Sequence, residues 1–152
     1  MTQNKVWFIT GCSKGLGRVL AEVLLDKGEK LVATARDPKT LAALEKRGAL
    51  ALKLDVNDEP GVKAAMAKAT AHFSRIDVLV NKAGYGLTGA IEEVSDAEAR
   101  AQMDTNVFGA LNCCRAVLRQ LRLQKSGHIL KIPSVYGCNG VPGLGLCNAR
   151  NL

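Results

Sequence analysis

Aromatic side chains are scarce: one Trp, two Tyr and three Phe in 152 residues. A chain so poor in flat rings offers no stacking platform for single-stranded nucleic acid. Long apolar runs are missing as well, so no segment is expected to span a membrane. The five cysteines, Cys12, Cys113, Cys114, Cys138 and Cys147, contain no C-x-x-C pair. Their odd number and the adjacency of Cys113 and Cys114 speak against a disulfide framework or a zinc site, and for free thiols in a reducing, cytoplasmic setting. His72 and His128 stand alone, so no metal site is expected. There is no internal repeat, low-complexity tract or linker. No leader is expected ahead of the first strand, because Met1-Thr2-Gln3-Asn4-Lys5 runs straight into it.

What is present fits a globular chain. Hydrophobic residues make up 47% and charged residues 23%, and the length suits a single domain over residues 1–152 with a real core. The formal net charge is +7. Its lysines and arginines are scattered among acids, as in Leu44-Glu45-Lys46-Arg47. That pattern reads as a solvated surface rather than a nucleic-acid face.

Short apolar runs alternate with amphipathic stretches. Strands are expected over Val6–Thr10, Lys30–Ala35, Ala49–Leu54, Val78–Asn81 and His128–Ile132. Their continuous apolarity suits strands buried on both faces of a parallel sheet. Helices are expected over Gly17–Lys27, Pro38–Arg47, Asp58–Phe73 and, as one long element opened by the capping pair Ser95 and Glu98, Ser95–Gln124. The strand–helix alternation implies an α/β doubly wound parallel sheet of strand order 3-2-1-4-5, with a ligand over the carboxyl ends of its strands.

The segment Thr10-Gly11-Cys12-Ser13-Lys14-Gly15-Leu16-Gly17 joins the first strand to the first helix. A strand, a glycine-rich turn and a helix N-terminus in that order build a cradle for an anion. The glycine spacing is neither G-x-G-x-x-G nor that of a P-loop. It is similar to the T-G-x-x-x-G-x-G of the short-chain dehydrogenase/reductase family. Four later segments also resemble that family: Leu54-Asp55-Val56; Asn81-Lys82-Ala83-Gly84, close to its N-N-A-G; Asn106 in the long helix; and Gly127-His128-Ile129-Leu130-Lys131-Ile132-Pro133-Ser134. The resemblance implies a Rossmann-type fold and a nicotinamide dinucleotide held by Gly11, Ser13, Lys14, Gly15, Leu16, Gly17, Arg36, Asp55, Val56, Asn81, Ala83 and Gly84. It implies a small carbonyl or alcohol substrate, Ser134 as the catalytic serine, and Asn106 as a proton-relay residue acting through its backbone carbonyl.

The second strand ends Ala35-Arg36-Asp37. A carboxylate at that place would hold the ribose 2′-hydroxyl of NAD, whereas a guanidinium takes a 2′-phosphate. By register Ala35 stands at that place and Arg36 follows; with Arg36 there to take a phosphate and Lys14 within reach, NADP(H) is favoured over NAD(H). The alternative is that Arg36 is a solvated surface residue and Asp37 turns in to hold NAD. Asp55 either accepts from the adenine amino group or merely starts a turn, and Asn106 is otherwise an ordinary polar helix residue. Lys82 puts a long cation where the family has an amide, so it must snorkel, pair or disturb the strand.

The family's catalytic tyrosine and lysine fall, by register from Ser134, on Cys147 and Asn151. Neither replacement supplies a phenol or an ammonium. The resemblance covers only about the first three-fifths of a family member. It therefore implies an oxidoreductase by ancestry whose turnover is impaired. The alternatives are a non-catalytic NADP(H)-binding pseudoenzyme and a truncated fragment. An apolar flank is expected on strand 5 and on the 95–124 helix, the face a homo-oligomer would use.

Overall fold

The computed structural model describes residues 4–132 and Gly145. Five strands, β1 (Val6–Ile9), β2 (Lys30–Ala35), β3 (Leu50–Lys53), β4 (Val78–Asn81) and β5 (His128–Lys131), form one sheet. Every neighbouring pair is parallel and the order is β3-β2-β1-β4-β5. Strand order and class are those the apolar runs imply.

Period-two alternation explains why the runs are continuous. Phe8, Val32 and Leu79 point to one face, where they pack with Val62, Met66, Ala69, Cys113 and Val117. Ile9, Leu31, Ala33, Val78 and Val80 point to the other, against Ala21, Leu24, Leu41 and Leu44. The first face is covered by α3 (Glu59–Phe73) and α5 (Gly109–Gln124), the second by α1 (Gly15–Asp26) and α2 (Ala42–Glu45). A strand buried on both sides needs an apolar residue at nearly every step; that holds for β1, β2 and β4, whereas, against the expectation, β3 is half-buried and the edge strand β5 is mostly exposed.

Local chemistry sets the ends of these elements. Asp58 caps α3 by accepting from Gly61 N at 3.1 Å. The Ser95–Glu98 pair forms the expected capping box at the start of α4 (Asp96–Met103): Ser95 N donates to Glu98 Oε2 at 3.0 Å and Glu98 N to Ser95 Oγ at 3.3 Å. The Gln124 side chain donates to Ile76 O at 2.8 Å and accepts from Ile76 N at 3.2 Å, fastening the end of α5 to the segment entering β4.

Two helices differ from their expected form. Pro38–Arg47 is a 3-10 turn, Pro38–Leu41, followed by the four-residue α2. Asp37 caps that turn through Lys39 N at 3.0 Å, and the chain leaves it at Gly48, whose φ is +96°. The long helix is also not uniform: between α4 and α5 lies a π-helical turn, Asp104–Phe108, where Gly109 N reaches back five residues to Asp104 O. The extra residue re-aims α5 relative to α4, and such turns gather at functional sites.

Candidate functional site

The site is built where β1, β2 and β4 end. Thr10 Oγ1 accepts from Lys82 N at 3.0 Å and Ala83 N at 2.9 Å, which ties the ends of β1 and β4 together. Cys12 N donates to Thr34 O at 2.8 Å, which ties the turn to β2. The turn packs tightly. Gly11 has φ +76°, and a Cβ on it would lie 3.1 Å from Ala83 Cα; a Cβ on Gly17 would collide with Gly11 O. Gly15, with φ +60°, instead borders open space.

The N-terminus of α1 opens beside this turn. No side chain caps it, and its first turn holds no acid. Its unpaired N–H groups and positive dipole end are therefore available to an anion. Together with the open space at Gly15, this fits the phosphates of a dinucleotide.

A cavity of about 600 Å³ lies against the turn, lined by Gly11, Ser13, Lys14, Thr34, Ala35, Arg36, Leu54–Asn57, Lys82–Tyr85, Ala101 and Thr105. Its Asp55–Asn57 wall is braced from the helical layer. Asn112 Nδ2 donates to Val56 O at 3.1 Å and Asn57 Nδ2 to Thr105 Oγ1 at 3.1 Å. A Cβ on Gly109 would lie 2.5 Å from Val56 Cγ2, so α5 begins flush against this wall. The Asp55 carboxylate accepts from Asn57 N at 3.0 Å and still faces the cavity.

A second cavity of about 350 Å³ continues from the first past Lys82, Ala83, Gly84 and Tyr85, and adds Leu16, Asn81, Asn106, Ala110, Lys131 and Ile132. Asn106 is buried in the π-helical turn and grips the loop between the cavities. Its Nδ2 donates to Tyr85 O at 2.8 Å and its Oδ1 accepts from Tyr85 N at 3.0 Å. Gln102 Nε2 adds a bond to Tyr85 O at 3.2 Å. Gly84 is required here, since a Cβ on it would lie 2.5 Å from Asn106 Oδ1. Asn81 Nδ2 donates to Cys114 Sγ at 3.3 Å, while its buried Oδ1 has no partner among the described residues. A buried acceptor left open at a cavity wall suits a ligand N–H or O–H.

Burial suppresses ionisation of two thiols near the site, Cys12 and Cys113. Burial pushes Cys12 up to about 11, and the opposing pull of Thr34 N–H bonding, Arg18 and Lys82 does not reverse it. Burial, with Cys114 alongside, pushes Cys113 up to about 12. Both stay protonated near neutrality. No group of three or more His, Cys, Asp or Glu among the described residues could hold a metal ion.

Of the residues expected from sequence, Gly11, Ser13, Lys14, Arg36, Asp55, Val56, Ala83 and Gly84 line the first cavity. Leu16, Asn81 and Asn106 line the second. Gly15 and Gly17 shape the turn without lining either. Ser134, Cys147 and Asn151 lie outside the described residues. Lys82 neither breaks β4 nor buries its charge: it is half-buried and lines both cavities. Sequence reasoning quoted Thr10 as the first residue of the glycine motif without giving it a role, and missed Asn57, Tyr85, Gln102 and Thr105. Most of these act through backbone or framework bonds that leave no side-chain pattern; a threonine closing an apolar strand was the one available signal.

The sequence matches the short chain dehydrogenase family over residues 5–149. It is 42% identical over 145 residues to an oxidoreductase of Botryotinia fuckeliana, covering 93% of this chain and 53% of that protein. It is 36% identical over 147 residues to a 3-ketodihydrosphingosine reductase of Bacteroides thetaiotaomicron, covering 97% and 53%. Among solved structures, a short-chain dehydrogenase from Streptomyces avermitilis superposes with TM-score 0.93 at 36% identity, covering 98% of this chain and 56% of that one. ElxO with NADP bound superposes with TM-score 0.89 at 29% identity, covering 98% and 63%. The chain thus spans about half the length of the curated relatives it matches. With the glycine turn, the cavity at the strand ends and the sheet order all in agreement, the chain belongs to the short-chain dehydrogenase family.

Proposed function

We propose that this chain binds NADP(H) in the larger cavity, and that it is a carbonyl or secondary-alcohol oxidoreductase by descent whose turnover is impaired by Cys147 and Asn151. The observation that carries the cofactor choice is at the end of β2. Arg36 and Lys14 both line the cavity, with Ala35 where an acid would stand. Asp37, the carboxylate that could have held a ribose diol, is engaged in capping the turn at Lys39 and does not line the cavity. Two cations and no acid at this edge suit a 2′-phosphate. The solved relative with NADP bound agrees with this reading.

Each part of the site has an assigned task. The turn from Gly11 to Gly17 and the N-terminus of α1 hold the phosphates. Asp55 and the Val56 N–H meet the adenine edge. Asn81, Ala83 and Gly84 let the ribose approach the backbone, and Asn106 fixes the loop that separates the two cavities. A bound nicotinamide would, in its reduced form, supply a hydride to a carbonyl carbon or, in its oxidised form, accept one from an alcohol carbon. Ser134 would hydrogen-bond the substrate oxygen and stabilise its developing charge.

That oxygen also needs a proton. A phenol of pKa about 10 serves only beside an ammonium that lowers it. Cys147 has too short an arm, and Asn151 carries no charge. This favours binding without chemistry. The exposed Phe108, Leu111 and Leu123 on the 104–124 stretch support self-association through that face, and the free thiols support a reducing, cytoplasmic setting.

The test is calorimetric titration with NADPH and NADH, followed by an absorbance assay against simple ketones. The expected result is at least about tenfold tighter binding of NADPH and no oxidation of it. Equal or tighter binding of NADH contradicts the cofactor choice. Steady NADPH consumption contradicts the impairment.

A further inference from the structure

Lys82 occupies a place where nothing in the fold requires a cation. Its backbone is anchored, since Lys82 N donates to Thr10 Oγ1 at 3.0 Å. Its side chain runs back over the glycine turn, because a Cβ on Gly17 would lie 3.4 Å from Lys82 Cδ. Its charge reaches the turn from there, acting on the Cys12 thiol together with Arg18. No carboxylate among the described residues forms an ion pair with it. Of the residues lining both cavities, Lys82, Ala83, Gly84 and Tyr85, it is the one that carries a charge. A half-buried lysine without a carboxylate partner, its stem laid across a phosphate cradle and its charge left free, is placed to pair with an anion that enters there.

A dinucleotide is charged at two places. The 2′-phosphate belongs at Arg36 and Lys14, at the far edge of the first cavity. The pyrophosphate must cross from the first cavity to the second, and the crossing is lined by Lys82. We propose that Lys82 is a third cation of the cofactor site, pairing with the pyrophosphate rather than with the 2′-phosphate. It therefore raises affinity for NADPH and NADH alike and plays no part in choosing between them. The only carboxylate lining either cavity among the described residues, Asp55, is held by Asn57 N. The inference rests on the proposal that the larger cavity holds a dinucleotide.

The experiment is calorimetric titration of the wild type, Lys82→Gln and Lys82→Arg with NADPH, NADH and adenosine 2′-monophosphate, which lacks the pyrophosphate. Lys82→Gln is expected to weaken both dinucleotides by the same factor, about five- to tenfold, and to leave the monophosphate unchanged. Lys82→Arg keeps the charge and is expected to keep the affinity. The loss in Lys82→Gln is expected to shrink as salt is raised. Thermal unfolding of the ligand-free variants shows that each is folded. Unchanged or tighter dinucleotide binding by folded Lys82→Gln overturns the inference, as does equal loss in both variants, which would mark shape rather than charge. If the wild type binds none of the three ligands, the dinucleotide reading itself fails and takes this inference with it. That result is distinct from a wild type that binds and a variant that binds equally well.

Discussion

Arg36 is the residue on which the cofactor choice turns. It stands exposed at the end of β2 and lines the larger cavity beside Lys14. A guanidinium–phosphate pair is among the stronger charge-assisted bonds. Arg36→Ala is therefore expected to weaken NADPH by about ten- to thirtyfold and to leave NADH nearly unchanged, as read by titration of each cofactor. Loss for both cofactors equally would mean that Arg36 supports the fold rather than the 2′-phosphate. This residue was legible because its chemistry shows in its type and register. Lys82 was legible only as an anomaly. The sequence places a cation after β4, but the path of its stem over Gly17 depends on how the turn packs.

The buried thiols give a second expectation at this scale. Cys12 and Cys113 have folded values of about 11 and about 12, above their ordinary value of 9.0. The folded state thus prefers the protonated thiols. Their contribution is complete below pH 9 and is lost as pH rises from 9 through 11 for Cys12 and 12 for Cys113. The loss is at most about 1.4 kcal/mol per pH unit per thiol. Denaturant unfolding of the wild type and of Cys12→Ala between about pH 8 and 11 checks this by slope. The wild type is expected to lose stability more steeply. Parallel slopes would show that the thiol does not titrate with unfolding.

At the scale of elements, the π-helical turn is the feature that couples the helical layer to the site. It buries Asn106, whose amide makes two bonds to the Tyr85 backbone at 2.8 and 3.0 Å. Asn106→Ala removes both bonds to the part-buried Tyr85 backbone, while Gln102 Nε2 still donates to Tyr85 O. The expected cost is about 2 kcal/mol of stability, together with weaker cofactor binding, because the freed loop lines both cavities. Chemical denaturation and titration of the variant measure the two effects. Full stability in the variant would contradict the gripping role.

The inner strands β1, β2 and β4 were readable because burial on both faces writes an apolar residue at nearly every step, and the Ser95–Glu98 box was readable from its spacing. The π-helical turn was not, because one added residue inside a helix leaves no periodic mark beyond a polar residue at position 106. The brevity of α2 was hidden for a similar reason. Asp37 capping and the Gly48 exit act on a few residues, whereas periodicity needs several turns to speak.

At the scale of the whole molecule, the central claim is that five parallel strands and their helices form a working dinucleotide cradle within a chain about half the length of its curated relatives. Sheet order, cavity and glycine turn support it. The exposed Leu130 and Ile132 on and beyond β5, and Leu123 on α5, work against it by favouring association over an isolated fold.

Thermal unfolding of the purified chain, alone and with saturating NADPH or NADH, tests this claim most directly. A ligand that binds only the folded state raises the transition by mass action. The account predicts one cooperative transition that moves up by about 5–10 °C with NADPH at roughly a hundredfold excess over its dissociation constant, and by less with NADH at the same concentration. A chain that shows no cooperative transition, or one that responds to neither cofactor, would contradict it.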